Sequence, residues 1–259
     1  MLAIERKNRI LTILREDKHV VVSELAKNFE VSEETIRRDL DKLEKEGYVS
    51  KTYGGAVICE GKEAELPYVI RKKANVAAKQ KIAELASEMV VDGDSIILDA
   101  SSTAVFIAQK IKTKKDISVI TNSIEVLMEL ADVSGWKVYC TGGVLKGGIG
   151  AILGGDAEEY ISRFHVDKAF ISCKGVDMIN GFTDSNDSHA AVKRKMIRAA
   201  SQVFFAVDSS KFNRLSFTSL CNFSGIDAII TEKQPNADWL KVFSDNNLEC
   251  LYPQGDKNE

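Results

Sequence analysis

Apolar residues recur with helical spacing through the first 58 positions, broken by short polar turns. Over residues 4–15, Ile10, Leu11, Ile13 and Leu14 face one side of a helix. A shorter helix over 23–29 is followed by a turn at Glu30-Val31. Ser32 then stands at a helix N-cap, with Glu33 and Glu34 in the first turn, where the helix dipole favours acids. In this third helix Ile36, Leu40 and Leu43 form one buried stripe. At about 100° per residue, Thr35, Arg38, Lys42 and Lys45 fall opposite. Gly47 ends the helix, and 48–57 alternates as a hairpin around Gly54-Gly55. That order of elements predicts a winged helix-turn-helix over 1–58, its helix-turn-helix spanning about 20–39.

Residues 59–73 lose the periodicity and gain Gly61, Pro67 and charges, so they read as a linker into a domain over 74–259. There Ile82, Leu85, Ala86 and Met89 mark a helix between 74 and 91. Short apolar strands follow at 95–99, 118–121, 137–141, 169–173, 203–208, 228–231 and 248–252, with helices starting at Thr103 and Ser123 and another through 190–200. The alternation predicts an α/β domain whose mostly parallel sheet is covered on both faces. Ligands of such sheets bind beyond the carboxyl ends of the strands, and polar residues collect there. Asp99-Ala100-Ser101-Ser102-Thr103, Thr121-Asn122-Ser123, Thr141-Gly142-Gly143, Lys174-Gly175-Val176-Asp177 and Asp208-Ser209-Ser210-Lys211 each follow a strand, and Thr183-Asp184-Ser185-Asn186-Asp187 precedes the long helix. Converging hydroxyls, amides, lysines and carboxylates suit a polyol. Ser101-Ser102-Thr103 can cradle a phosphate at a helix N-terminus or serve only as a cap. Gly147-Gly148-Ile149-Gly150 is no dinucleotide fingerprint, because Leu153 stands where glycine is needed.

A formal net charge of −3 argues against a non-specific coat on nucleic acid. Even residues 1–58 are balanced, with 11 basic and 11 acidic side chains, so any DNA reading rests on one basic face. Thr35 and Arg38 are expected to meet bases, Lys42, Lys51 and Tyr53 the backbone, with Ser32 and Arg37 flanking them. Five scattered cysteines without a Cys-x-x-Cys pair, and three isolated histidines, fit neither a disulfide framework nor a zinc site. A reducing cytoplasm is the expected setting, with no metal or cofactor. With no secretory leader and no apolar run long enough to span a bilayer, no membrane partner is expected.

Val22-Ser23-Glu24-Leu25-Ala26, Val31-Ser32-Glu33-Glu34-Thr35-Ile36-Arg37-Arg38-Asp39-Leu40 and Tyr53-Gly54-Gly55-Ala56 resemble the N-terminal signature of DeoR-type bacterial transcriptional regulators. Tyr53 stands where many members carry His. Leu98-Asp99-Ala100-Ser101-Ser102-Thr103, Ile120-Thr121-Asn122-Ser123, Gly142-Gly143, Val192-Lys193-Arg194 and Asp208-Ser209-Ser210-Lys211-Phe212 are similar to that family's sensor domain, so the resemblance spans nearly the whole chain. It implies a fold like ribose-5-phosphate isomerase, operator DNA and a phosphorylated sugar as partners, and a homo-oligomer, dimer or tetramer. By residue analogy Ser101, Ser102 and Thr103 would hold the phosphate. Asp99, Asn122, Lys174, Asp177, Asp184, Asn186, Lys193 and Lys211 would line the sugar, with Thr121, Ser123, Gly142, Gly143 and Asp208 completing the site. Ser101 replaces the glycine of a Gly-Thr-Thr turn found in many members. The Asp-Ala-Ser-Ser-Thr, Ser-Cys-Lys-Gly-Val-Asp and Thr-Asp-Ser-Asn runs look closest to regulators of deoxyhexose (fucose-like) use.

The expected function is a repressor of a carbohydrate-utilisation operon relieved by the sugar phosphate, with an activator as the variant within the family. The rival is a sugar-phosphate isomerase bearing an extra module. In the isomerases it resembles, a glutamate occupies about the Lys195 position. Lysine there would bind anions rather than abstract a proton, which leaves Asp99, Asp177 and Asp184 as possible bases.

Overall fold

In this computed structural model, residues 1–58 and 67–254 are described. Contacts divide the chain into two units, Met1–Ala74 and Asn75–Glu259. The first unit runs α1 (Ala3–Asp17), β1 (His19–Val21), α2 (Val22–Phe29), α3 (Glu33–Lys45), β2 (Val49–Thr52), β3 (Gly55–Ile58) and α4 (Tyr68–Lys73). Ile10, Leu11, Leu14, Leu25, Ile36, Leu40 and Leu43 form its buried centre, as their spacing requires. Glu30, in the left-handed region at φ 54°, turns the chain from α2 toward α3. Gly47 and Tyr48 return their N–H groups to Glu44 and Leu43 to close α3.

Two features depart from the sequence expectation. The wing has three strands, in the order β1-β3-β2. β1 is only three residues long, too short for alternation to signal, and it sets the need at Gly55, where a Cβ would fall 2.0 Å from the Val20 carbonyl oxygen. Residues 67–73, read as linker, hold α4, whose Ile70 is buried in the first unit's core; 59–66 lie outside the described residues.

The second unit continues with α5 (Val76–Glu88), β4 (Ser95–Leu98), α6 (Ser102–Lys110), β5 (Ser118–Thr121), α7 (Ile124–Leu130), β6 (Lys137–Cys140), β7 (Val144–Lys146), β8 (Ala151–Leu153), α8 (Gly155–Ile161), β9 (Val166–Ile171), β10 (Gly175–Asp177), β11 (Gly181–Asp184), α9 (Asp187–Ala199), β12 (Ala200–Ala206), β13 (Thr218–Cys221), β14 (Ala228–Ile230), α10 (Ala237–Asp245) and β15 (Glu249–Leu251). The seven strands expected from apolar runs form one parallel sheet in the order β15-β14-β12-β9-β4-β5-β6. Ile97, Ala169, Ile171, Val203, Phe205 and Ile229 share a core with residues of α8, α9 and α10. The alternate residues Ile96, Leu98, Val119, Phe170, Phe204 and Ile230 are buried as well, so both faces are covered. Two small antiparallel sheets, β7-β8 and β10-β11-β13, decorate the ends.

Candidate functional site

The outer face of α3 carries the residues expected to read DNA. Ser32 Oγ accepts from the Thr35 N–H at 3.3 Å, and the two hydroxyls lie 2.9 Å apart. Arg38 is 74% exposed, 3.6 Å from Glu34, while Arg37 pairs with Glu33 at 2.6 Å. Asp41 pairs with Lys51 of β2. The hydrogen bond from Lys51 holds the Asp41 carboxyl below its usual range, and Asp41 raises Lys51 in return. Tyr53 is fully exposed at the wing turn. The Arg37, Arg38 and Lys51 ion pairs are all exposed, and such pairs contribute roughly 0–1 kcal/mol each, so they yield readily to another partner.

In the second unit, β5 and β6 extend to one side of β4, while β9, β12, β14 and β15 extend to the other. Strand order therefore reverses between β4 and β9, which is where open α/β sheets bind ligands. Asp99 spans that point. Its Oδ2 accepts from the Ser172 N–H at the end of β9 (3.0 Å), and its Oδ1 from the Ser101 N–H (3.1 Å). Lys193 of α9 reaches the same place: its Nζ donates to the Ser172 carbonyl at 2.6 Å and to Asp184 Oδ2 at 2.7 Å, and lies 3.3 Å from Asp99 Oδ2. All three charged groups are buried. Burial pushes the Asp184 carboxyl up, but Lys193 and Lys174, helped by hydrogen bonds from Lys193 and the Ser185 N–H, outweigh it and hold the carboxyl low. A base for proton abstraction needs the opposite displacement.

Beside this cluster α6 begins. Ser101 caps it, accepting from the Ala104 N–H at 3.0 Å. Ser102 and Thr103 are buried in the first turn, and their hydroxyls make no hydrogen bond among the described residues. Several other expected residues are committed to the scaffold. Thr121 Oγ1 donates to the Leu98 carbonyl at 2.6 Å, tying β5 to β4, and Ser123 caps α7. Asn186 caps α9, accepting from the Ser188 N–H at 3.0 Å. Gly142 and Gly143 turn the chain at φ 67° and 107°, and a Cβ on Gly143 would meet the Leu153 carbonyl oxygen at 2.7 Å. Asn122 donates through Nδ2 to the Ile152 carbonyl at 3.0 Å; a carbonyl can only accept, so this contact fixes the amide and leaves Oδ1 a buried acceptor without a partner.

Asp208, after β12, accepts at Oδ1 from Asn75 Nδ2 (2.9 Å), from the Ser210 N–H (3.1 Å) and from the Ser210 hydroxyl. Burial raises its carboxyl, but Lys211, Ser210 and Lys79 together hold it low. Lys174 and Lys211 are half-buried beside Asp184 and Asp208. Asp177 is not brought to this group. In the β10–β11 hairpin it pairs with Gly181 at the turn end, while Lys174 and Asp184 lie at the open end. There Asp177 Oδ1 accepts from the Asn180 N–H at 2.8 Å, the Asn180 side chain and the Ile179 N–H, which lowers its carboxyl. Sequence reasoning missed Ser172, Asn75 and the buried Lys79. A signal existed for Lys79: it shares the inward stripe of α5 with Ile82, Ala83 and Ala86.

A profile described as the DeoR-like helix-turn-helix domain matches residues 6–62, and one described as the DeoR C terminal sensor domain matches 74–233. The chain belongs to the DeoR family of transcriptional regulators. It is 39% identical over 249 residues to the uncharacterised HTH-type transcriptional regulator YulB of Bacillus subtilis (strain 168), covering 96% of each chain. To the HTH-type transcriptional repressor GlcR of the same organism it is 34% identical over 255 residues, 98% of each. To the L-fucose operon activator of Haemophilus influenzae it is 34% identical over 228 residues, 88% of this chain and 91% of the other. A solved ribose 5-phosphate isomerase A from Methanocaldococcus jannaschii aligns over 52% of this chain and 53% of its own, at 18% identity and a TM-score of 0.38. The family, the two-domain fold class and a regulatory rather than enzymatic role are as the sequence led us to expect. No helix among the described residues is long and apolar enough to cross a membrane.

Proposed function

We propose that this chain is a cytoplasmic, operator-binding repressor of a carbohydrate-utilisation operon, released from DNA by a phosphorylated sugar in the crevice between β4 and β9. The observation that carries the reading is that the Ser102 and Thr103 hydroxyls, in the first turn of α6, make no hydrogen bond among the described residues and stand beside two carboxylates that Lys193 partly offsets. A phosphate there meets the first N–H groups of the helix and both hydroxyls, with Lys174 and Lys211 adding positive charge from neighbouring turns. Asn122 Oδ1, Asp99 and Asp184 supply acceptors for sugar hydroxyls. Two-fold operators suit paired recognition helices, so the acting form is a dimer or tetramer.

The test is a thermal-shift screen of the full chain against pentose, hexose and deoxyhexose phosphates and their unphosphorylated parents. It is followed by mobility shifts on a duplex that the protein selects from a randomised pool. One ester is expected to raise the melting temperature and weaken the DNA complex. Ser102→Ala with Thr103→Ala removes two hydrogen bonds to a charged group, about 1.5–3 kcal/mol each, so ester affinity falls on the order of 10²–10⁴-fold while ligand-free DNA binding persists. An unchanged response in the double variant places the phosphate elsewhere. The similarity to a fucose operon activator favours one second reading, in which the ester tightens the DNA complex.

A further inference from the structure

α3 carries a charge on its inner side. Asp39 is 2% exposed and shares the buried stripe with Ile36, Leu40 and Leu43. Arg6 Nε of α1 meets Asp39 Oδ2 at 2.5 Å, and both side chains are more than nine-tenths buried. The other ion pairs of α3, Glu33–Arg37, Glu34–Arg38 and Asp41–Lys51, are all solvated. A buried ion pair is a weak source of stability, since well-packed apolar residues in its place are often neutral or better; its attested use is to fix register. We infer that Arg6 and Asp39 are positioning residues for DNA reading, locking the rotation of α3 about its own axis and so the direction of Arg38 and Thr35.

An apolar stripe tolerates small rotations, because its contacts have no preferred direction. A guanidinium against a carboxylate has one. The head of an extended arginine lies about 9 Å from the helix axis, so a 20° rotation moves it about 3 Å. That displacement is as long as a hydrogen bond and removes any contact with a base edge. Arg38 sits one residue, about 100°, from Asp39, so pinning the inner side aims the outer one.

The test uses the full chain, the duplex it selects from a randomised pool, and a scrambled duplex of equal length. Arg6→Met with Asp39→Leu replaces the pair by apolar residues of similar size. The double variant is expected to melt within a few degrees of wild type and bind the scrambled duplex equally well. Its preference for the selected duplex should fall tenfold or more. Arg6→Gln with Asp39→Asn, a neutral pair of the same size, should fall between the two. A merely structural pair would change melting and leave the preference intact. Either folded variant keeping the wild-type preference within twofold overturns the inference, as does failure of both to fold, which would assign the pair to stability. Arg38→Ala alongside separates loss of aim from an error about which face reads DNA.

Discussion

Replacing Lys193 by Met tests whether its ammonium holds the crevice together. The substitution keeps most of the stem but removes the contacts to Asp184 Oδ2 (2.7 Å), Asp99 Oδ2 (3.3 Å) and the Ser172 carbonyl (2.6 Å). Two buried carboxylates then lack their cation. Breaking one side of a buried pair costs about 3–5 kcal/mol. The alternative is to protonate one carboxyl, at about 1.4 kcal/mol per pH unit above its ordinary value, hence about 4 kcal/mol at pH 7 and about 2 at pH 5. At 2–4 °C per kcal/mol, the second unit should melt about 6–20 °C lower at neutral pH. In wild type the Asp184 carboxyl is lowered, so its contribution is full above the ordinary 3.8 and is lost only as pH falls below that. In the variant the carboxyl is raised, so the deficit shrinks by about 2–3 kcal/mol between pH 7 and pH 5. Calorimetry at the two pH values decides. A deficit below about 1 kcal/mol, or one indifferent to pH, would refute the account of Lys193 as the cation on which both carboxylates depend.

Three other outcomes follow from the geometry. Arg38→Ala should lose about 1–3 kcal/mol on the selected duplex and relax its discrimination; Lys51→Ala should weaken all duplexes alike and flatten the salt dependence, both read from binding titrations at several salt concentrations. Asn75→Gly keeps the left-handed backbone (φ 51°) and removes a donor to Asp208, so the second unit should lose about 1 kcal/mol, and its acid-induced melting should begin at higher pH, as circular dichroism would report.

The large sheet was legible because each of its strands is a short apolar run bounded by polar turns, and the reading unit because Ser32 and Gly47 punctuate a clean helical period. What escaped notice is long-range. No spacing rule joins Arg6 to Asp39 or Asn75 to Asp208, since those pairs exist only once separate elements meet. β10, β11 and β13 are too short and too rich in glycine and polar residues to alternate visibly. In the crevice, strand order brings Asp99, Asp184 and Lys193 together, yet residue type alone could not separate Thr121, Ser123 and Asn186, hydrogen-bonded within the scaffold, from Ser102 and Thr103. A charge on an apolar stripe, as at Asp39 and Lys79, was the usable signal that went unread.

The parallel order with its reversal between β4 and β9 has a consequence for how the chain is made. The first unit is complete once Ala74 has been added, with its own core. The crevice needs Asp99, Ser172, Lys193 and the turn after β12, contributed by segments joined only when the central strands pair. At about 5–20 residues per second, synthesis from Asn75 to Glu259 takes about ten to forty seconds longer. A nascent chain therefore carries its helix-turn-helix well before its crevice. A gene interrupted between codons 75 and 190 encodes every residue of the first unit but neither Lys193 nor the turn after β12.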